Sequence, residues 1–221
     1  MKKLAFVSGW GFSAEVFLET AKCIDNTTVD LISLGSLSGN FADSLARQLG
    51  SGSYDAVIGW SMGGTVLLEV ALNFPDLIKK LILISSTACF VSSPEYTYGK
   101  PLSEIRKLKK QVNANSATAL SDFSKLVSPD NNIKSFFDCR RLIDGLEYLE
   151  STNLLSRLSE VTIPVLGVHG EDDQIIPWQA GDTIAKALKY GSFVLFKNSS
   201  HALCIEKREE VAEQINGFLW S

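Results

Sequence analysis

Six short apolar runs recur along the chain, and each has the length of a β-strand. The runs are continuous rather than alternating, which is typical of parallel strands that are covered on both faces. Helical patterns lie between several of them, and this alternation predicts an α/β fold with a mostly parallel sheet of about six strands and helices on both faces. The runs are residues 4–8, 29–34, 54–60, 80–85, 163–169 and 192–196.

The alternation stops between residues 92 and 159, where polar and basic helical patterns replace the strands. This segment has ten Lys and Arg residues against eight Asp and Glu residues, whereas the whole chain has a net charge of −4. We therefore expect one domain, in which residues 1–91 and 160–221 form the core. Residues 92–159 are expected to form a helical insertion over the carboxyl edge of the sheet.

The composition narrows the class of protein. The net charge of −4 and the isoelectric point near 5.3 argue against a partner such as nucleic acid, which requires a concentrated basic surface. No apolar run approaches the roughly 20 residues that cross a bilayer, and the apolar stretch near the start is too short for a signal peptide. With four scattered cysteines and two histidines, we expect free thiols, no metal, no cofactor and a soluble cytoplasmic protein.

Candidate chemistry begins at GWSMG, residues 59–63, where an apolar run ends and a helical pattern begins. This G-x-S-x-G pattern allows a sharp strand-to-helix turn that presents the serine hydroxyl above the sheet. A phosphate-binding loop uses a similar turn, but here no lysine follows the glycines in P-loop spacing and the G-x-G-x-x-G fingerprint is absent. We therefore predict that Ser61 is a nucleophile.

A serine becomes nucleophilic when a base removes its proton, and a third group must hold that base in the correct tautomer. The chain offers two histidines. His169 lies inside the apolar run VLGVHG, which favours a packed, hydrogen-bonded core histidine, whereas His201 lies in a polar turn before the last helix. We therefore take His201 as the base. Asp172 and Asp173 both follow the penultimate strand, and both are candidates for the acid.

Attack on a carbonyl also requires two donors for the oxyanion that forms. The backbone N–H of Met62, directly after the nucleophile, is expected to supply one of them. The second is expected from the loop after the first strand, where Trp10 lies between Gly9 and Gly11 and the glycines allow a close approach to the substrate. Trp10 and Trp60 also suit a packed aromatic core, which leaves a backbone donor unaffected.

Taken together, these motifs resemble the α/β-hydrolase family over nearly the full chain. The order Ser61, Asp173, His201 is the order of serine, acid and histidine in that family, and its common G-x-x-D spacing favours Asp173 over Asp172. More narrowly, GWGFSAEVF, GWSMGG, SSTACF and the stretch from LIDGLEYLE to DDQIIP are similar to the carboxylesterases of biotin synthesis. Members of that group cleave a methyl ester from a carrier-bound pimeloyl chain.

The resemblance implies a serine carboxylesterase that needs no cofactor. It assigns Ser61 as nucleophile, Asp173 as orienting acid, His201 as base, and the backbone of Trp10 and Met62 as oxyanion donors. It also implies that the helical insertion is a lid, on which basic residues dock an acidic acyl-carrier protein. The candidates for this docking surface are Lys100, Arg106, Lys107, Lys109, Lys110, Arg140 and Arg141.

Two features depart from the related esterases. Ser8 stands where the group usually has histidine before G-W-G, and we do not expect the antiparallel strand pair that is common at the N-terminus of that group. Phe136 and Phe137 are expected to anchor the lid rather than to line an acyl channel. A general short-chain carboxylesterase or thioesterase stays an alternative function. A non-catalytic binding protein is a further alternative, against which the complete set of serine, acid and histidine argues.

Overall fold

A parallel β-sheet forms the centre of the computed structural model, which describes residues 1–128, 133 and 139–221. The strands are β1 (Lys2–Val7), β2 (Thr27–Ile32), β3 (Ala56–Trp60), β4 (Leu81–Ile84), β5 (Val165–Gly170) and β6 (Gly191–Phe196). They lie in the order β2-β1-β3-β4-β5-β6, and every neighbouring pair is parallel. The predicted six-stranded parallel sheet is confirmed, because each apolar run falls on one of these strands.

Helices cover both faces of this sheet, as the alternating pattern predicted. They are α1 (Leu18–Lys22), α2 (Phe41–Gly50), α3 (Met62–Asn73), α4 (Leu102–Ala114), α5 (Ser116–Val127), α6 (Cys139–Ser151), α7 (Trp178–Ala187), α8 (Leu203–Glu206) and α9 (Arg208–Trp220). None of the described helices combines the length and the apolar character that crossing a bilayer requires.

Alternate residues of the central strands enter two different cores. Ala5 packs in one core with Leu45 of α2 and Leu67 of α3, whereas Leu4 packs in a second core with Ile215 of α9. A strand that is buried on both faces needs apolar residues at successive positions, because its side chains alternate between the faces. This requirement explains why the central strands appear in the sequence as continuous apolar runs.

The strand order reverses between β1 and β3, because the chain passes from β1 to β2 on one side and returns to β3 on the other. Open α/β sheets bind their ligands at such a point, beyond the carboxyl ends of the strands. The loop that contains Trp10 follows β1, and Ser61 follows β3. Asp173 and His201 follow β5 and β6, so the predicted site residues all lie at one edge of the sheet.

Helices α4, α5 and α6 are inserted between β4 and β5, and α4 packs against both of the others. We call this group the lid. Helices α4 and α6 fall in the polar and basic helical patterns that the sequence indicates between residues 92 and 159. Helix α5 was not predicted from the sequence. The division of the chain at residues 92 and 159 stays a prediction, and Phe136 and Phe137 lie outside the described residues.

Candidate active site

Ser61 occupies a strained turn between β3 and α3. Its backbone has φ of 54° and ψ of −125°, a conformation that residues with a side chain rarely adopt. The flanking glycines make the turn possible by close packing. A Cβ atom on Gly59 would lie 2.6 Å from the nitrogen of Gly64, and one on Gly63 would lie 2.5 Å from the carbonyl oxygen of Ser8. These contacts explain why the G-x-S-x-G pattern has glycine at both ends.

The surroundings of Ser61 suit a developing negative charge. Met62 is the first residue of α3, where backbone N–H groups have no partner inside the helix and the helix dipole is positive. The next strand supports the turn, because the Ser61 amide donates to the carbonyl of Ile84 at 2.9 Å. The hydroxyl of Ser86 donates to the carbonyl of Ser61 at 3.0 Å. Ser86 belongs to the SSTACF segment, which therefore has a structural part in holding the nucleophile.

The loop after β1 lies directly against the nucleophile. A Cβ atom on Gly9 would lie 3.1 Å from the Cβ atom of Ser61. The side chain of Trp10 is directed into the lid, where its indole N–H donates to the carbonyl of Leu142 in α6 at 2.9 Å. The loop thus brings the backbone of Trp10 next to Ser61, and the backbone N–H groups of Trp10 and Met62 stay the predicted oxyanion donors.

The structure brings Asp173, and not Asp172, to the histidine. Nδ1 of His201 donates to Oδ2 of Asp173 at 2.7 Å. The other carboxylate oxygen, Oδ1, accepts the backbone N–H groups of Ile175 at 2.8 Å and Ile176 at 2.9 Å. Asp172 is exposed to solvent, whereas Asp173 is buried. Asp173, which the G-x-x-D spacing favoured, is therefore the carboxylate in position to orient His201, and its role as the acid stays a prediction.

His201 is tied to the turn that carries the nucleophile. Its backbone carbonyl accepts the indole N–H of Trp60 at 2.9 Å, and the two rings are 5.5 Å apart between centroids. Trp60 directly precedes Ser61, so the histidine loop and the nucleophile share a support. Because Nδ1 of His201 is occupied by the bond to Asp173, Nε2 is the nitrogen left to act as a base.

Ser200 and Glu206 fix the loop that carries the base, a contribution that the sequence did not indicate. The Ser200 backbone N–H and hydroxyl donate to the two carboxylate oxygens of Glu206 at 2.9 Å and 2.6 Å. The same hydroxyl lies 3.2 Å from the carbonyl oxygen of Val127, at the end of α5. The base is therefore anchored to both the core and the lid.

His169 is buried and hydrogen-bonded, as predicted, but its partner is the candidate acid. Nε2 of His169 lies 3.1 Å from Oδ2 of Asp173 and 2.9 Å from the carbonyl oxygen of Ile176. Burial by itself raises the pKa of Asp173, but the charge and hydrogen bonds of His201 and His169 outweigh burial and hold that pKa below its usual value. Asp173 is therefore an anion at neutral pH, as an orienting acid must be.

A cavity of about 500 Å³ opens in front of Ser61, between the sheet edge and the lid. Its volume falls in the range of about 300–1,000 Å³ that is usual for small-molecule sites. Apolar side chains from both parts line it, among them Trp10, Ile105, Leu108, Phe123, Leu146 and Leu149. Polar side chains that also line it are Lys100, Glu104, Lys107, Gln111, Asp122 and Gln174.

The predicted basic docking surface is only partly supported. Lys109 pairs with Glu147 at 3.4 Å and with Glu150 at 3.0 Å, and Arg141 pairs with Asp144 at 2.7 Å. The side chains of Lys109 and Arg141 are 23% and 15% exposed, so lid carboxylates balance their charges and an acidic partner has little access to them. These ion pairs reduce what Lys109 and Arg141 could contribute to the docking surface, which stays a prediction. The exposed members are Arg106, Lys107, Lys110 and Arg140, while Lys100 is partly buried.

This architecture defines a serine hydrolase of the α/β-hydrolase fold. The order of serine, acid and histidine along the chain, their positions after β3, β5 and β6, and the lid between β4 and β5 all fit that class. The particular family follows from its sequence model. The chain belongs to the family described as "Serine aminopeptidase, S33", whose model matches residues 40–208.

Several proteins similar to this chain are named as esterases. A pimeloyl-[acyl-carrier protein] methyl ester esterase of Nitrosomonas europaea is 29% identical in an alignment 161 positions long, which covers 66% of this chain and 64% of that protein. The esterase of the same name from Vibrio parahaemolyticus is 25% identical over 97% of this chain and 93% of its own length. Among solved structures, an esterase from Exiguobacterium antarcticum superimposes with a TM-score of 0.88, at 18% identity, over 100% of this chain and 92% of that one. The chain is thus a serine hydrolase.

Proposed function

We propose that this enzyme hydrolyses the methyl ester of a pimeloyl chain that is bound to an acyl-carrier protein. The chemistry rests on one observation, the 2.7 Å hydrogen bond from His201 to Asp173 at the sheet edge where Ser61 faces the cavity. The substrate rests on the names of relatives that match 97% or more of the chain at 23–25% identity. Because all four cysteines are free thiols, we assign the enzyme to the reducing cytoplasm.

The reaction proceeds in two acyl transfers. Nε2 of His201 takes the proton of the Ser61 hydroxyl while Asp173 stabilises the positive charge that forms on the ring. The serine oxygen attacks the ester carbonyl, and the backbone N–H groups of Trp10 and Met62 hold the oxyanion. Methanol leaves with the proton from His201. Water, activated by the same histidine, then attacks the acyl-enzyme and releases the free acid and the serine.

The cavity supports an acyl chain as the group bound beside the nucleophile. Most of the side chains that line it are apolar, and burying an alkyl chain against them leaves no polar group of the chain without a partner. Lys100 and Lys107 line the same cavity, and Lys107 is exposed. Exposed Arg106 and Lys110 lie on the same helix as Lys107. This basic side of α4 suits an acidic carrier protein, and such charges act chiefly on the association rate.

Hydrolysis of the carrier-bound methyl ester should be measured beside hydrolysis of free dimethyl pimelate, with S61A as the blank. A preference for the carrier-bound ester that depends on Ser61 and weakens with salt supports the proposal. Equal activity on the free ester reduces the assignment to a general short-chain carboxylesterase or thioesterase. Activity on neither ester, together with no labelling of Ser61 by a serine-directed phosphonate, would indicate a binding protein.

A further inference from the structure

His169 is a buried histidine that has no part in the reaction steps above. Its ring nitrogen Nε2 has two neighbours at hydrogen-bond distance, the carbonyl oxygen of Ile176 at 2.9 Å and Oδ2 of Asp173 at 3.1 Å. Both neighbours are acceptors at neutral pH, so Nε2 must carry the hydrogen. His169 is therefore a donor to the carboxylate that orients the catalytic base.

The two histidines donate to the same oxygen of the acid. Oδ2 of Asp173 accepts Nδ1–H of His201 at 2.7 Å as well as Nε2–H of His169. The other oxygen is already held by the backbone N–H groups of Ile175 and Ile176. Two backbone bonds suffice to orient a carboxylate, so the bond from His169 changes chiefly the charge that Oδ2 presents to His201.

We propose that His169 is a positioning residue that acts through Asp173. Its hydrogen bond to Oδ2 weakens the electrostatic attraction between that oxygen and the protonated form of His201. Loss of the bond from His169 would therefore strengthen the attraction between Asp173 and protonated His201. The effect is large for one hydrogen bond, because the three side chains are at most 1% exposed and electrostatic interactions are strong away from water. The lowered pKa of Asp173 agrees with this arrangement.

The surroundings of the His169 ring leave Asp173 as its charged partner. His169 lines a small cavity together with described residues of α7, β6 and the loop after β4, among them Gly181, Phe193 and Ser86. None of these three carries a titratable group. A Cβ atom on Gly181 would lie 2.8 Å from Nδ1 of His169, so α7 packs closely enough to hold the ring in place.

The test compares two substitutions of nearly equal size. Gln in H169Q can place an amide N–H near the position of Nε2, whereas Met in H169M fills similar space and has no donor. The kcat/KM for a small soluble ester is measured from about pH 5 to pH 9, because its acidic limb reports protonation of the base in the free enzyme. A small ester is chosen because the inference rests on the proposed serine mechanism but not on the carrier-bound substrate.

In H169M we expect the acidic limb to move up by about one pH unit, since a hydrogen bond to a charged group is lost. At pH values below the limb, kcat/KM is then about tenfold lower than in the wild type. KM stays unchanged, because His169 does not line the cavity in front of Ser61. In H169Q the limb stays within about 0.3 unit of the wild type.

An unshifted limb in H169M, or equal shifts in H169M and H169Q, would overturn the inference. An active S61A would overturn the serine mechanism as well, so the two failures are distinguishable. The wild-type enzyme gives a test that does not depend on folding of a variant. NMR of isotope-labelled histidine must show the hydrogen of His169 on Nε2, and a hydrogen on Nδ1 alone would contradict the proposed donor.

Discussion

A methyl group added to Gly145 in α6 tests whether the lid controls the oxyanion loop. A Cβ atom there would lie 2.6 Å from Cδ1 and 3.1 Å from Nε1 of Trp10. Carbon atoms pack at about 3.5–4.0 Å, so the indole of Trp10 must move by about 1 Å in G145A. The ring has little freedom to do so, because its N–H is bonded to the carbonyl of Leu142 and it packs nearly perpendicular to the ring of Phe123, with centroids 5.0 Å apart.

The displacement reaches the backbone that carries a predicted oxyanion donor. A misplacement of about 1 Å in an active site can lower the rate about 100-fold. We therefore expect kcat/KM of G145A to fall by about 10- to 100-fold. Replacing a helical glycine by alanine contributes about 0.5–1 kcal/mol of stability. Overpacking costs about 1–3 kcal/mol, so the free energy of unfolding should fall by about 2 kcal/mol or less.

Ester hydrolysis and urea unfolding of G145A are measured beside G217A. Gly217 lies in α9, and a Cβ atom there meets nothing within 4 Å, so G217A should be fully active and slightly more stable. Adding W10F leaves room for the new methyl group, so G145A should cost less activity in W10F than in the wild type. Wild-type kcat/KM in G145A would refute the reasoning, because it would show that the loop does not respond to α6.

Three further predictions concern the acid and the attachment of the lid. D173N should lower kcat by about 10⁴-fold, because the amide favours the wrong tautomer of the base, while D172N changes little. Because the pKa of Asp173 is lower in the folded protein than in the unfolded chain, its carboxylate contributes stability that is present above about pH 4 and is lost as the pH falls towards the folded-state pKa. In urea unfolding, a fall in pH should therefore destabilise the wild type more than D173N. Y148F removes the 2.7 Å bond to the Glu69 carboxylate and should cost about 1–2 kcal/mol in thermal unfolding, whereas Y190F, at an exposed position, should cost nothing measurable.

The core of the fold was predictable because its strands are buried on both faces and read as continuous apolar runs. The edge strands β2 and β6 were found by the same criterion, although they are only partly buried. Helix α5 was not found, since SATALSDFSKLV is rich in polar residues and only Ala119, Leu120 and Val127 in it are buried. Its beginning did carry a signal, because Asn115 caps it by accepting the N–H of Thr118.

The candidate acid was ambiguous from local sequence for a physical reason. Asp172 and Asp173 are adjacent and equally polar. The turn that buries Asp173 is held by the backbone N–H groups of Ile175 and Ile176, and because backbone N–H groups are common to nearly all residues, the sequence does not reveal this turn. The contact between His169 and Asp173 depends on the same turn. The ion pairs of Lys109, in contrast, could have been predicted from the sequence. Ile105 and Val112 mark the buried face of α4, and Lys109 lies one turn from both, towards the acidic residues of α6.

The segment GLEYL, residues 145–149, combines a structural role with a place in the cavity wall, because Leu146 and Leu149 line the cavity. Gly145 leaves space for Trp10, and Tyr148 attaches α6 to the core through Glu69 and through its edge-on contact with Phe41. These contacts hold the lid over the oxyanion loop. A shared GLEYL segment therefore argues for a shared lid position, which any acyl chain could exploit. The identity of the acyl group and the contact of α4 with a carrier protein stay part of our proposal, which is why the carrier-bound and free esters must be compared directly.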